Sequence, residues 1–176
     1  MPALVEPVIL PNNPSTYPYI REIKDYLQKE LLAGRMSGPF SREEAEAILR
    51  GPFFSSPLVV DVQPQQPGTP DKIRICRHLS KASKSHPSVN SHIRKEDFPT
   101  CFDLASKVAE IIALAPPGTQ ACTLDIAKFH RTCPVLPSHK PWLVVQGRPN
   151  EFLIDHVHPF GAACASSNAG MIANAV

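Results

Sequence analysis

The chain has 176 residues, enough for one domain with a real core and too few for two ordinary ones. Its apolar fraction of 43% excludes a wholly disordered chain. A net charge of +2 is too small to argue for nucleic acid without a concentrated basic face. Twenty prolines cluster between the periodic segments, which predicts long irregular connections around short strands and helices. The five cysteines (Cys76, Cys101, Cys122, Cys133 and Cys164) are odd in number, lack C-x-x-C spacing and follow no signal-type leader. The expectation is a reduced, intracellular chain in cytoplasm or nucleus, with free thiols. No apolar run approaches the ~18 residues that span a bilayer, so a soluble protein with no membrane partner is expected.

Residues 1–14 carry four prolines and no period, and read as a flexible, extended lead-in. Residues 15–34 read as a helix with Ile20, Ile23, Leu27 and Leu31 on one stripe and Gly34 at its end. Ser41-Arg42-Glu43-Glu44 is a capping box that opens a second helix, with Ala45, Ile48 and Leu49 apolar and Gly51 as its stop. Residues 57–63 and 72–79 alternate like two strands of a hairpin around a Pro- and Gln-rich tip. After a polar stretch, Thr100 is placed to cap a helix over 101–113 with Leu104, Val108, Ile111 and Ile112 inward, halted by Pro116-Pro117-Gly118. Residues 121–126 read as a buried strand ending on Asp125, residues 142–146 and 152–157 as two more strands, and 163–176 as the opening of a helix. The irregular alternation predicts an α+β fold.

Three features carry chemistry. Asp125 stands where a buried strand emerges; a buried acid there needs a partner or a hard cation such as Mg²⁺, which takes one or two carboxylates plus phosphate oxygens. An acid so placed also simply caps the following turn. Lys72 and Arg74 fall on one face of their strand, where two cations beside a mobile hairpin suit a triphosphate or a merely solvated surface. Pro159-Phe160-Gly161 and the small residues after it allow close approach of a backbone or a flat base, or tight helix packing. Asp155, His156 and His158 form a weaker set for a transition metal, with no regularly spaced third partner. Nucleophile-elbow, phosphate-loop and H-E-x-x-H signatures are absent.

In this order and spacing the pieces resemble the N-terminal part of a reverse transcriptase of the DIRS-like, tyrosine-recombinase type of retrotransposon, closest to the group in mushroom-forming fungi. The resemblance runs from about Leu32 to Val176. It rests on Gly34-Arg35-Met36-Ser37-Gly38-Pro39-Phe40, Ser55-Ser56-Pro57-Leu58-Val59-Val60, Lys72-Ile73-Arg74-Ile75-Cys76-Arg77-His78-Leu79-Ser80 and Ser88-Val89-Asn90-Ser91-His92-Ile93. Leu124-Asp125-Ile126 with Pro134, and Phe152-Leu153-Ile154-Asp155 leading to Pro159-Phe160-Gly161, match the family's first two catalytic motifs. The resemblance implies fingers and the first part of a palm over 15–176, Mg²⁺ at Asp125 and the Ile126 carbonyl, and Arg74 with Lys72 on the incoming triphosphate. It places Phe160 and Gly161 in the nucleotide and template pocket and implies an RNA/DNA template-primer and dNTP as partners. His130 stands where the family carries an aromatic that screens the sugar 2′ position, and His78 where many relatives carry Asp. The Tyr-x-Asp-Asp hairpin, thumb and RNase H regions are not among these residues, so the expectation is a catalytically incomplete RNA-directed DNA polymerase. Two rivals are a non-catalytic nucleic-acid-binding or scaffolding module and a non-functional genomic remnant; a zinc-dependent hydrolase at Asp125, His156 and His158 is more distant.

Overall fold

The computed structural model describes residues 1–99, 103–122 and 125–173, a mixture of helix and strand. Five strands form one sheet: β1 (Val8–Ile9), β2 (Met36–Phe40), β3 (Phe54–Ser56), β6 (Val144–Arg148) and β7 (Glu151–Asp155). Their order is β1-β3-β6-β7-β2, with β1, β3 and β6 parallel and β6, β7 and β2 antiparallel in turn. The remaining two, β4 (Leu58–Gln63) and β5 (Lys72–Arg77), pair antiparallel over their whole lengths as a separate ribbon. That ribbon is the hairpin read from the alternation of residues 57–63 and 72–79.

Period-two alternation sorts the larger sheet's side chains onto two faces. Val145 and Leu153 point to one, against Ile23 and Leu27 of helix α1 (Ile20–Leu32) and against Met36, Leu58 and Val60. Val144, Phe152 and Ile154 point to the other, against Phe53 and Ala45 of helix α2 (Arg42–Leu49). Phe53 and Phe152 meet edge-on at 5.0 Å. The sheet is thus covered by α1 and α2 on opposite faces; Ile23, Leu27 and Ala45 lie inward as their stripes predict, whereas Ile20 and Ile48 of the same stripes are exposed. Helix α2 has the capping box read from the sequence: Glu44 N–H donates to Ser41 Oγ at 3.2 Å, and Ser41 N–H donates to the Glu44 carboxylate at 2.7 Å. In β2, Gly38 lies so close to β7 that a Cβ would stand 2.7 Å from the Phe152 carbonyl oxygen.

Four sequence readings are corrected. The first helix begins at Ile20, not residue 15, because Pro14 and Pro18 break the backbone ladder and residues Pro14–Tyr19 wind as a 3-10 helix. The lead-in is extended, and it is also docked: Val8 and Leu10 are buried, and the Asn12 side chain donates to Gln146 O and accepts from Leu58 N–H, each at 2.8 Å. Helix α3 (Ala105–Leu114) forms, but Leu104, Val108, Ile111 and Ile112 are exposed by 50–73% instead of facing inward. A helical period creates an apolar stripe; burial needs an opposing surface, and no described element supplies one. Finally, residues 121, 122, 125 and 126 belong to no strand and are exposed, whereas a buried strand over 121–126 is the sequence expectation. The interior places of the sheet are filled by β3, β6 and β7, and these residues pair with none of its strands. Residues 123 and 124, and the helix start expected at 100–102, lie outside the described residues. Helix α4 (Ala165–Ala173) follows the small-residue stretch as read. Among the described residues no helix is long and apolar enough to cross a membrane, and Cys76, Cys122, Cys133 and Cys164 are free thiols.

Candidate functional site

The ribbon carries the predicted cations. Register places Arg74 opposite Asp61 and Lys72 opposite Gln63. Ile73 and Ile75 turn inward onto the α1 core, so Lys72 and Arg74 share the exposed face that their alternation implies. The other predicted residues lie on two loops. A 3-10 turn, Phe129–Thr132, follows Lys128, whose φ of 55° is left-handed. Residues 133–135 then run antiparallel to 156–158: His158 N–H donates to Cys133 O at 2.8 Å, and Val135 N–H to His156 O at 3.1 Å. That pairing brings the two loops together, and the rings of His130 and Phe160 meet edge to face at 5.2 Å.

Gly161 has φ +93°, and a Cβ there would stand 3.2 Å from the Arg77 carbonyl oxygen, so its lack of a side chain matters twice. Asn90 pins this loop. Its amide nitrogen donates to Gly161 O at 2.8 Å, and its amide oxygen accepts from Ala163 N–H at 3.0 Å. His130, Phe160 and Gly161 are therefore assembled. Asp125 and Ile126 are not drawn into them: both are exposed, and among the described residues no ion pair joins Asp125 to Lys72 or Arg74. Two hollows, of about 430 and 750 Å³, are lined by none of Lys72, Arg74, Asp125, Ile126, His130, Phe160 or Gly161, although His158 and Pro159 border the smaller one. No group of three His, Cys, Asp or Glu side chains suited to a metal occurs among the described residues. Asp155 is engaged by arginines, and His158 lies past the end of β7 with its Nε2 toward Asn168, so the Asp155, His156 and His158 set is not a ligand cluster.

The most highly ordered chemistry near these loops was not singled out in the sequence. Glu30 continues the buried stripe of α1 after Ile23 and Leu27, and its side chain is 1% exposed. Arg35 grips it with two bonds of 2.8 Å, Lys128 reaches it at 3.0 Å, and Arg131 donates to it from Nη2 at 2.7 Å and from Nε at 3.1 Å. The Nη1 of Arg131 donates to Asp155 at 2.7 Å, and Arg77 donates to the same carboxylate oxygen. Arg131 thus bridges α1 and β7, and Asp155 links on to the end of β5. Burial by itself would raise the Glu30 carboxyl; hydrogen bonds from Arg35, Arg131 and Lys128 outweigh it and hold the group well below the usual carboxylate range. Burial lowers the Arg77 guanidinium to about 10, so it stays charged at neutral pH. The signal available in sequence was a carboxylate on the apolar stripe of α1, three residues past Leu27, which periodicity assigns to the core.

Models of known protein families and the curated protein sequences were compared with the chain, and it matches none of them.

Proposed function

We propose that these residues form the fingers and first palm segment of a DIRS-like reverse transcriptase, an RNA-directed DNA polymerase, and that they act by holding nucleic acid. The observation that supports this reading best is the meeting of the His130 ring with that of Phe160, next to Gly161 in the chain. These residues come from two separate motifs, about thirty positions apart, that the reading assigns to one nucleotide and template pocket. A flat base has the half-exposed Phe160 ring to meet there. Lys72 and Arg74, exposed on the outer face of the ribbon, supply cations for phosphate, Arg74 bidentately.

Mg²⁺ is the ion the reading calls for at Asp125 and the Ile126 carbonyl. The donors present do not fit a reacting ion pair: Asp125 is exposed, and no second carboxylate joins it in a metal-ligating group among the described residues. Nucleotidyl transfer through two ions needs both held about 4 Å apart. The 176-residue chain alone is therefore read as inactive, with the non-catalytic nucleic-acid-binding module as its present function. The exposed pair Lys72 and Arg74 favours that form of the reading. A primer-extension assay with Mg²⁺ or Mn²⁺ tests the first part: no incorporation is expected, and template-dependent extension overturns it. Fluorescence anisotropy with an RNA–DNA hybrid tests the second: binding that weakens as salt rises is expected. Absence of binding at low salt overturns it.

A further inference from the structure

Helix α1, the 3-10 segment Pro14–Tyr19 and the hairpin of β6 and β7 enclose the larger hollow, of about 750 Å³, a volume within the range of small-molecule sites. Ile20, Ile23, Lys24 and Leu27 recur at i, i+3, i+4 and i+7, so one face of α1 forms a wall of it. Ile23, Leu27 and Leu153 are buried and give it an apolar floor. Gly147 lies against that floor so closely that a Cβ would stand 3.0 Å from Leu27 Cδ1 and 3.2 Å from Leu153 Cδ1. Tyr17 and Ile20 line the same hollow and remain 66% and 62% exposed. Two large apolar side chains are thus held open to water at its rim, continuous with an apolar interior.

The charged side chains that line the hollow are Lys24, Arg148 and Glu151. Arg148 stands opposite Glu151 in the hairpin register, yet among the described residues no ion pair engages any of the three. Two cations against one acid leave the lining with a net charge of +1. We propose that this hollow binds a single-chain amphiphile: an unbranched apolar chain that ends in one carboxylate. The chain lies on the floor and against Tyr17 and Ile20, and its burial drives the association. The carboxylate turns to Lys24 and Arg148, whose long stems cross apolar surface while their heads stay in water. A single negative charge neutralises the lining; a second would meet Glu151 without a free cation to offset it. A short carboxylate without the chain gains only exposed ion pairs, which are worth little.

The probe is decanoate, kept below the concentration at which it aggregates. Titration of the full chain is expected to give saturable binding by calorimetry and a saturating shift of the Gly147 amide in ¹H–¹⁵N NMR. Affinity should rise about fourfold with each methylene from octanoate to decanoate, the worth of one buried CH₂. Decanol, with the same chain and no charge, should bind more weakly. Lys24 and Arg148 are exposed, so Lys24→Gln with Arg148→Gln spares the core, and it should erase the preference for decanoate over decanol. Glu151→Gln raises the charge of the lining and should tighten decanoate while leaving decanol unchanged. Ile20 is the first residue of α1, where a helix accepts an acid well, so Ile20→Asp keeps the fold and puts a carboxylate on the apolar wall. It should weaken decanoate about tenfold or more, the scale of one lost apolar side-chain contact. No saturable response to decanoate, decanol binding as tightly, a preference for decanoate that survives loss of both cations, or a Gly147 shift unchanged in Ile20→Asp overturns the proposal.

Discussion

The ribbon that carries Lys72 and Arg74 and the loop that carries Asp125 and His130 are held in opposite ways. The ribbon is fixed by its own register: six residue pairs between β4 and β5, with Ile73 and Ile75 turned to the core. The loop has only a short ladder at its end, residues 133–135 against 156–158. It is fixed by charges far away in the chain, with Lys128 and Arg131 tied to Glu30 across 98 and 101 residues and Arg131 tied to Asp155 across 24. Local patterning is therefore enough to aim the cations. The position of His130 depends on whether a buried ion network is complete. A network of that kind is unforgiving, because removing one partner strands the others in a medium that solvates them poorly.

Arg131 is the sharpest place to break the contrast. Arg131→Met keeps an unbranched apolar stem and removes the bridge, leaving Asp155 to Arg77 and Glu30 to Arg35 and Lys128. We expect a loss of about 3 kcal/mol in urea unfolding, the usual scale for a broken buried ion pair, together with loss of the His130–Phe160 contact in NMR. A loss under about 1 kcal/mol, the scale of a surface pair, would show that the loop is held by something else.

Acid should act through Glu30. Its folded carboxyl is depressed below the ordinary value of 4.5, so the folded state binds fewer protons than the unfolded one. The stability this contributes is fully present above about pH 4.5 and is lost as the pH falls below it toward the depressed folded value. Glu30→Gln cannot titrate, and its stability should change less steeply over that acid range. Equal slopes for the two proteins would remove Glu30 from the account.

How much of this was legible follows from the same contrast. The hairpin, the α2 capping box and the outward face of Lys72 and Arg74 were readable because each is decided within a few residues. The inward face of α3 was misread, since Val108, Ile111 and Ile112 keep a helical period whether or not a surface opposes them. Residues 121–126 were misread as a buried strand for a related reason: an apolar run beside an acid does not say that a ladder is available. The ion network escaped altogether. Arg77 and Arg131 look like surface cations in a sequence, and only the fold brings them to Asp155. Of the candidate site, His130, Phe160 and Gly161 were found by motif and meet, while Asp125 was found by motif and stands apart.

Between the extremes lies Asn90, which ties the Phe160–Gly161 loop to the turn before it with two hydrogen bonds. Asn90→Ala also removes the bond its amide nitrogen donates to Ser80 Oγ at 2.9 Å, and should cost about 1–3 kcal/mol, the net worth of three such bonds, measured by thermal or urea unfolding. It should also loosen Phe160 against His130 without touching the ribbon. An unchanged ring contact would mean that the pairing of residues 133–135 with 156–158 suffices to hold the loop.

The smallest change in stability is expected at Arg74, and there the comparison turns from folding to function. Arg74 is exposed and stands opposite Asp61, a cross-strand arrangement worth a few tenths of a kcal/mol. Arg74→Ala should therefore leave unfolding within about 0.5 kcal/mol of the parent. If the ribbon holds phosphate, the same change should weaken binding to an RNA–DNA hybrid and reduce the slope of log K against log salt by about one, the signature of one lost phosphate contact. Lys72→Ala should behave alike, because β5 places both cations on one face. Should both variants bind as the parent does, with the same slope, the ribbon is a solvated surface and the cations have no part in binding.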